Sequence, residues 1–209
     1  MARLIAAGVP EVAGITAAQL AEHAAGLPDV PGALLAVHPT LASHGRLAGL
    51  LRNGRRAGFV VQDMTDVDEF SPIDGVRVPD LPLYLVLDPA RGDELRNTSP
   101  IEALAALRSA GRTPLTLNEG ISWVLAQPGV LAPGACFMTI GSRKATASGM
   151  DARVPAIWIS RGTGRDGPAR RDAPKVGWCW AGNRHTWLGH ASAAARHPRA
   201  APRRDGVPE

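Results

Sequence analysis

A proline or glycine falls about once in every five residues, 18 prolines and 23 glycines in a chain of 209. This punctuation keeps every apolar run well short of the roughly 20 residues that cross a bilayer as a helix. With 45% hydrophobic and 20% charged residues, the composition is that of an ordinary globular domain and excludes collagen, coiled coil and wholesale disorder. The opening MARLIAAGVPEVAG carries one arginine and an apolar run that Pro10 and Glu11 close, shorter than a secretory core of about 7 to 15 residues requires. The expectation is a cytoplasmic protein that neither spans nor binds a membrane.

Between the breakers, two helix starts are plainest. In SPIEALAALRSAG, Ser99 caps, Pro100 takes the first helical position, Glu102 completes a capping box and Gly111 stops the helix. TLNEGISWVLAQP repeats the arrangement with Thr116, Glu119 and the terminating Pro128. Thr16 caps an alanine-rich segment ended by Gly26 and Pro28, and Thr40 opens a run through Leu47 and Leu51. Helices are therefore predicted near 16–26, 41–52, 99–110 and 117–127. Dense aliphatic stretches at 33–37, 57–62, 81–88, 135–140, 154–160 and 175–180 read as strands. The order predicts one α/β domain over 1–195, with α+β as the variant, whose mixed sheet is packed by about four helices.

Residues 1–140 hold 10 Lys/Arg against 14 Asp/Glu, net −4, whereas 141–209 hold 13 against 5, net +8. The Gly- and Pro-broken loops at 142–153 and 161–174 are both predicted mobile, and most of the excess lies in the segments 161–175 and 196–209. That last segment has Val207 as its only aliphatic residue beyond alanine, so it cannot bury enough area to offset its ordering, and a disordered basic tail is predicted. Arginine outnumbers lysine 21 to 2, a bias of composition more than a phosphate-recognition signature.

Four of the five tryptophans, Trp158, Trp178, Trp180 and Trp187, fall within 30 residues. Strand alternation puts Trp178 and Trp180 on one face and Cys179 on the other. A turn at Ala181 to Asn183 then delivers His185, Thr186 and Trp187 beside them. Aromatic walls with a few placed polar groups are the composition of a small-molecule pocket; the same residues equally make a core. Cys179 with His185, oriented by Asp88 or Glu119, would form a nucleophilic site, and a buried structural thiol is the competing reading. Cys179, His185 and His190 are metal-ligand types at spacings that match no zinc signature, so no metal and no cofactor is assigned. Arg143, at the end of a strand, has the chemistry to meet a carboxylate or phosphate. Asp63, Asp66, Asp68 and Glu69 lack the fixed spacing of a calcium loop and read as capping and surface acids. No phosphate-loop, dinucleotide or nucleophile-elbow motif occurs.

The strings FSPIDGVRVPD, RGDELRNTSPIEALAALRSAGRTPLTLNEGISWVL, CFMTIGSRK, RVPAIWIS and PKVGWCWAGNRHTWLGHASAA resemble a family of mainly actinobacterial proteins, domain of unknown function 5701, from about residue 5 to 196. Arg143, Arg153, Trp158, Gly177, Trp178, Cys179, Trp180, Asn183, His185, Thr186, Trp187 and Gly189 match its pattern. The two Gly/Arg loops are longer here, and His190 stands where a small residue is common, which argues further against a three-ligand metal centre. The resemblance implies no activity. It makes the Trp/Asn/His string the favoured site.

Two function classes follow. In the first, a small metabolite sits in a pocket walled by Trp158, Trp178, Trp180 and Trp187. There His185 is the acid/base or hydrogen-bonding group, Cys179 the alternative nucleophile, Asn183 and Thr186 orient the ligand, and Arg143 or Arg153 meets an anionic part. In the second, a non-enzymatic module uses its basic loops and tail to bind nucleic acid or an acidic protein.

Overall fold

The computed structural model describes residues 1–198. They form a single α/β domain, as the order of elements predicts, but the strands are shared among several sheets. The larger main sheet runs in the order Leu188–His190, Cys136–Met138, Arg153–Ile159, Pro174–Trp180, Phe59–Val60. It is mixed: the two outer pairings are parallel and the central ones antiparallel. The smaller sheet is antiparallel throughout, with Leu83–Leu87 flanked by Leu34–Val37 and Ala195–His197. No helix among the described residues is long and apolar enough to cross a membrane.

The Leu117–Ala126 helix lies between these sheets and is buried from Leu117 through Leu125. Its Thr116–Glu119 capping box forms as predicted, with the Thr116 amide donating to Glu119 Oε2 at 2.7 Å. Gly120 is where the helix meets the larger sheet. A Cβ there would fall 2.4 Å from Thr139 Cγ2 and 3.1 Å from Phe137 Cε2, so the absent side chain permits the close approach. Toward the smaller sheet the contacts are polar. Asn118 Nδ2 donates to the carbonyls of Val37 and Ala42, both at 3.1 Å, and Ser122 Oγ accepts from the Val37 amide at 3.0 Å. A strand edge that would otherwise bury unpaired main-chain groups is thereby satisfied by the helix.

Glu119, wholly buried, ties the third side of that helix to the end of the described chain. Its carboxylate accepts from Arg196 Nε at 2.5 Å, Arg196 Nη2 at 2.7 Å and the Tyr84 hydroxyl at 3.0 Å. This corrects the start of the predicted tail: Arg196 is a buried strand residue, held because its charge meets a buried carboxylate 77 positions earlier. The rest of that expectation, residues 199–209, lies outside the described residues.

Other elements fall close to prediction, the Pro100–Ser109 and Ala17–Ala24 helices among them. The helix predicted over 41–52 is shortened to His44–Ala48. Gly49 caps it, and Gly54 with Arg55 turns a hairpin between Arg52–Asn53 and Arg56–Ala57, which also trims the strand predicted at 57–62 to Phe59–Val60. Two short helices, Ala2–Ala6 and Val9–Ala13, precede the first one predicted. The loops predicted mobile contain local structure: a hairpin of Ala145–Thr146 with Gly149–Met150, and two single helical turns within 164–170.

Candidate functional site

The strand register decides which tryptophans meet. Trp158 pairs across with Lys175, whereas Trp178 and Trp180 pair with Pro155 and Arg153. Directly opposed residues share a face and neighbours alternate, so Trp158 stands on the Lys175, Gly177 and Cys179 face and Trp178 and Trp180 on the other. The string is thus divided into two aromatic pairs on opposite sides of one sheet. Trp178 and Trp180 pack edge to face at 4.6 Å, with Trp178 Nε1 donating to Asp63 Oδ1 at 3.3 Å and Trp180 nearly half exposed.

On the other face Trp158 meets Trp187 edge to face at 6.1 Å, and Trp187 in turn meets the His185 ring at 5.6 Å. Gly177 makes room for this: a Cβ there would fall 2.5 Å from the Trp158 ring. Trp158 and Trp187 line a cavity of about 340 Å³ whose polar wall contains Ser160, Asp166 and Lys175. Lys175 Nζ lies 4.7 Å from the Trp158 ring centre and pairs with Asp166 at 2.7 Å, and the Ser160 hydroxyl donates to the same carboxylate at 2.8 Å. A cation over an indole face, held by a carboxylate, fixes the ring, and Arg161, Thr163 and Asp172 add further polar groups to the wall.

His185 backs this cavity without lining it. Its carbonyl accepts from the Asn97 amide at 2.9 Å, its Nε2 is buried without a partner, and burial lowers its pKa. His190 lies deeper, with Nε2 3.2 Å from the Thr98 carbonyl and Nδ1 unpartnered. Its backbone is gripped by Gly92, where a Cβ would fall 2.1 Å from the His190 oxygen, and Gly189 is pressed against the Arg91 carbonyl in the same way. Asn183 and Thr186 are exposed, and Arg184 pairs with Glu102 outside the cavity. Cys179 makes no hydrogen bond to His185, and burial pushes its thiol up to about 11, the reverse of what activates a thiolate. Among the described residues no group of three or more His, Cys, Asp or Glu is arranged to hold a metal ion.

The two arginines separate as well. Arg153 is consumed by Asp66 and Asp151, each at 2.6 Å, and leans on the Phe70 ring, so its guanidinium has no free edge for a ligand's anion. Arg153, with Lys144 beside it, holds the Asp66 carboxyl well below the usual range. The remaining acids of that segment are likewise structural: Glu69 pairs with Lys144, Asp63 with Arg165, and Asp68 accepts from the Gly45 amide. Arg143 lines a different cavity, away from the tryptophans.

A third chamber, about 230 Å³, is one that sequence reasoning missed. His38, His44, Asp68, Thr116 and Ser142 contribute its polar groups and Phe70 and Val78 its apolar ones. The Thr40 amide donates to His38 Nδ1 at 3.2 Å, so the neutral ring carries its proton on Nε2. His44 is 4% exposed; its Nδ1 has no hydrogen-bond partner and stands 3.8 Å from Asp68 Oδ1, and burial pushes its pKa down to about 4. The only sequence signal was two lone histidines six residues apart in HPTLASH, a spacing that belongs to no motif.

Fold and cavities together define a small single-domain α/β protein with a mixed sheet and, on one face, a chamber bordered by two tryptophans and a largely polar wall. The chain belongs to the family of unknown function DUF5701, whose model matches residues 3–199. No curated protein and no solved structure matches it.

Proposed function

We propose that this is a cytoplasmic small-molecule-binding protein whose ligand occupies the chamber between Trp158 and Trp187. The observation that carries the reading is the meeting of Trp158, on a strand, with Trp187, just before another, over a cavity of about 340 Å³ whose remaining wall is largely polar. That volume falls within the range of ligand pockets, and the two indoles supply the apolar surface such pockets use. A flat, partly polar metabolite suits it: the indoles contact its faces and edges, and Ser160, Asp166 and Lys175 meet its hydrogen-bonding groups. His185 then acts by holding Trp187 rather than by transferring a proton. The test is a metabolite thermal-shift screen on the whole chain, followed by the same screen on Trp187→Ala. A hit that raises the melting temperature of the parent and not of the variant supports the chamber. A hit that stabilises both equally removes it.

A second reading, an enzyme using histidine acid–base chemistry, is favoured by the buried, unpartnered His44 Nδ1 in the His38 chamber. For a hit from the same screen, proton resonances of His38 and His44 that stay fixed on binding would refute it.

A further inference from the structure

Among the described residues, the arginines withdrawn from solvent are paired with carboxylates in every case but one. Arg91 and Arg96 share Asp93, Arg112 meets Asp88, Arg153 meets Asp66 and Asp151, and Arg196 meets Glu119. Arg143 is the half-buried exception among the described residues. Its Nε donates to the main-chain carbonyl of Asp151 at 2.9 Å, and its Nη2 donates to the same oxygen. It forms no ion pair, and desolvation lowers its pKa, offset in part by the nearby Asp151 charge. A cation withdrawn from water without a directly paired counter-charge is costly to hold.

What surrounds Arg143 is apolar. It lines a cavity of about 210 Å³ walled by Ile73, Leu104, Ile140 and Val154. At the rim stand two large apolar side chains left open to solvent, Ile101 at 65% and Met150 at 48% exposure. A second cation, Arg108, closes one side, with Nη2 donating to the Asp74 carbonyl at 3.3 Å. Asp74 is also among the lining residues, so two arginines and one acid border the cavity. None of these residues lines the tryptophan chamber.

We propose that this cavity is a separate binding site for a small amphiphilic carboxylate, whose head group meets Arg143 and whose apolar body lies among Ile73, Leu104, Ile140 and Val154. The free edge of a guanidinium is matched to a carboxylate in shape and charge. The volume equals about seven water-sized spaces of roughly 30 Å³ each, which suits a chain of about six carbons.

Hexanoate is the probe, titrated into the whole chain by calorimetry and by methyl NMR, with hexanamide and acetate as controls. Hexanoate binds saturably and shifts the methyls of Ile73, Leu104 and Val154. Hexanamide, which lacks the charge, and acetate, which lacks the body, bind at least about tenfold more weakly, as does hexanoate to Arg143→Gln, the loss expected for one charge-assisted contact. Ile101→Asp sets a like charge at the rim on an exposed helical position, so it tests the site without depending on how Arg143→Gln folds; it too weakens hexanoate. Trp187→Ala leaves hexanoate binding unchanged, which keeps this site distinct from the tryptophan chamber. Hexanamide binding as tightly as hexanoate, retained affinity in Ile101→Asp, or no saturable binding would overturn the proposal.

Discussion

Replacing Arg196 by methionine tests the Glu119 network most directly. The carboxylate of Glu119 takes four hydrogen bonds: Arg196 Nε and the Tyr84 hydroxyl on Oε1, Arg196 Nη2 and the Thr116 amide on Oε2. The substitution removes two of the four and the whole compensating charge, yet leaves the carboxylate where no solvent reaches it. Breaking one partner out of a buried pair costs about 3–5 kcal/mol. At roughly 2–4 °C per kcal/mol for a chain of this size, the midpoint of thermal unfolding falls by roughly 6–20 °C. Urea unfolding followed by tryptophan fluorescence and far-ultraviolet circular dichroism gives the free energy. Combining Arg196→Met with Glu119→Gln removes the stranded charge, so the double variant is more stable than the two separate losses predict. A variant within about 1 kcal/mol of the parent, or strict additivity in the cycle, would show that Glu119 and Arg196 are not energetically coupled.

Three further outcomes are checkable. His44 is held near pKa 4 against an ordinary 6.5, so between those values the unfolded chain binds the proton and the folded chain does not. Its contribution to stability is complete above about pH 6.5 and is lost as the pH falls toward 4; imidazole NMR titration, with unfolding at pH 5 and 7, measures both. Cys179, with its thiol pushed up to about 11, alkylates slowly at pH 7 in the native protein and quickly once unfolded; equal rates at pH 7 would refute the burial argument. Gly92→Ala adds a carbon 2.1 Å from the His190 carbonyl at a φ of +72°. Backbone must move to admit it, and the loss of stability, read from the urea midpoint, exceeds that of Gly129→Ala, where a Cβ meets nothing.

The sequence made legible those elements whose signals are local. The Ser99–Glu102 and Thr116–Glu119 boxes predicted two helices within a residue or two of their observed ends. The long apolar runs gave Leu83–Leu87, Arg153–Ile159 and Pro174–Trp180 with similar fidelity. What it concealed depends on partners distant in the chain. Leu188–His190 and Ala195–His197 are three residues each, too short for a period, and their pairing is set by strands at 136–138 and 83–87. Arg196 sits in an Arg- and Pro-rich stretch that reads as a tail; only Glu119 makes it core. At the site, alternation placed Trp178 opposite Cys179, but nothing local revealed that Trp158 faces away from Trp178, because that follows from cross-strand register. The His38 and His44 chamber was hidden for the same reason: its histidines gain meaning from Thr116 and Ser142, which only the folded chain brings beside them.

One further consequence concerns the order in which such a chain is finished. Within ten residues, 188–197, the backbone completes an edge of the larger sheet, pairs Ser192–Ala193 with Thr113–Pro114, and then supplies an outer strand of the smaller sheet. A nascent chain that has emerged only through Trp180 therefore has two unclosed sheet edges and an uncompensated Glu119. Unpaired edges of that kind recruit other chains, so until the last strands arrive Cys136–Met138 and Leu83–Leu87 are each open to pairing with a neighbouring chain.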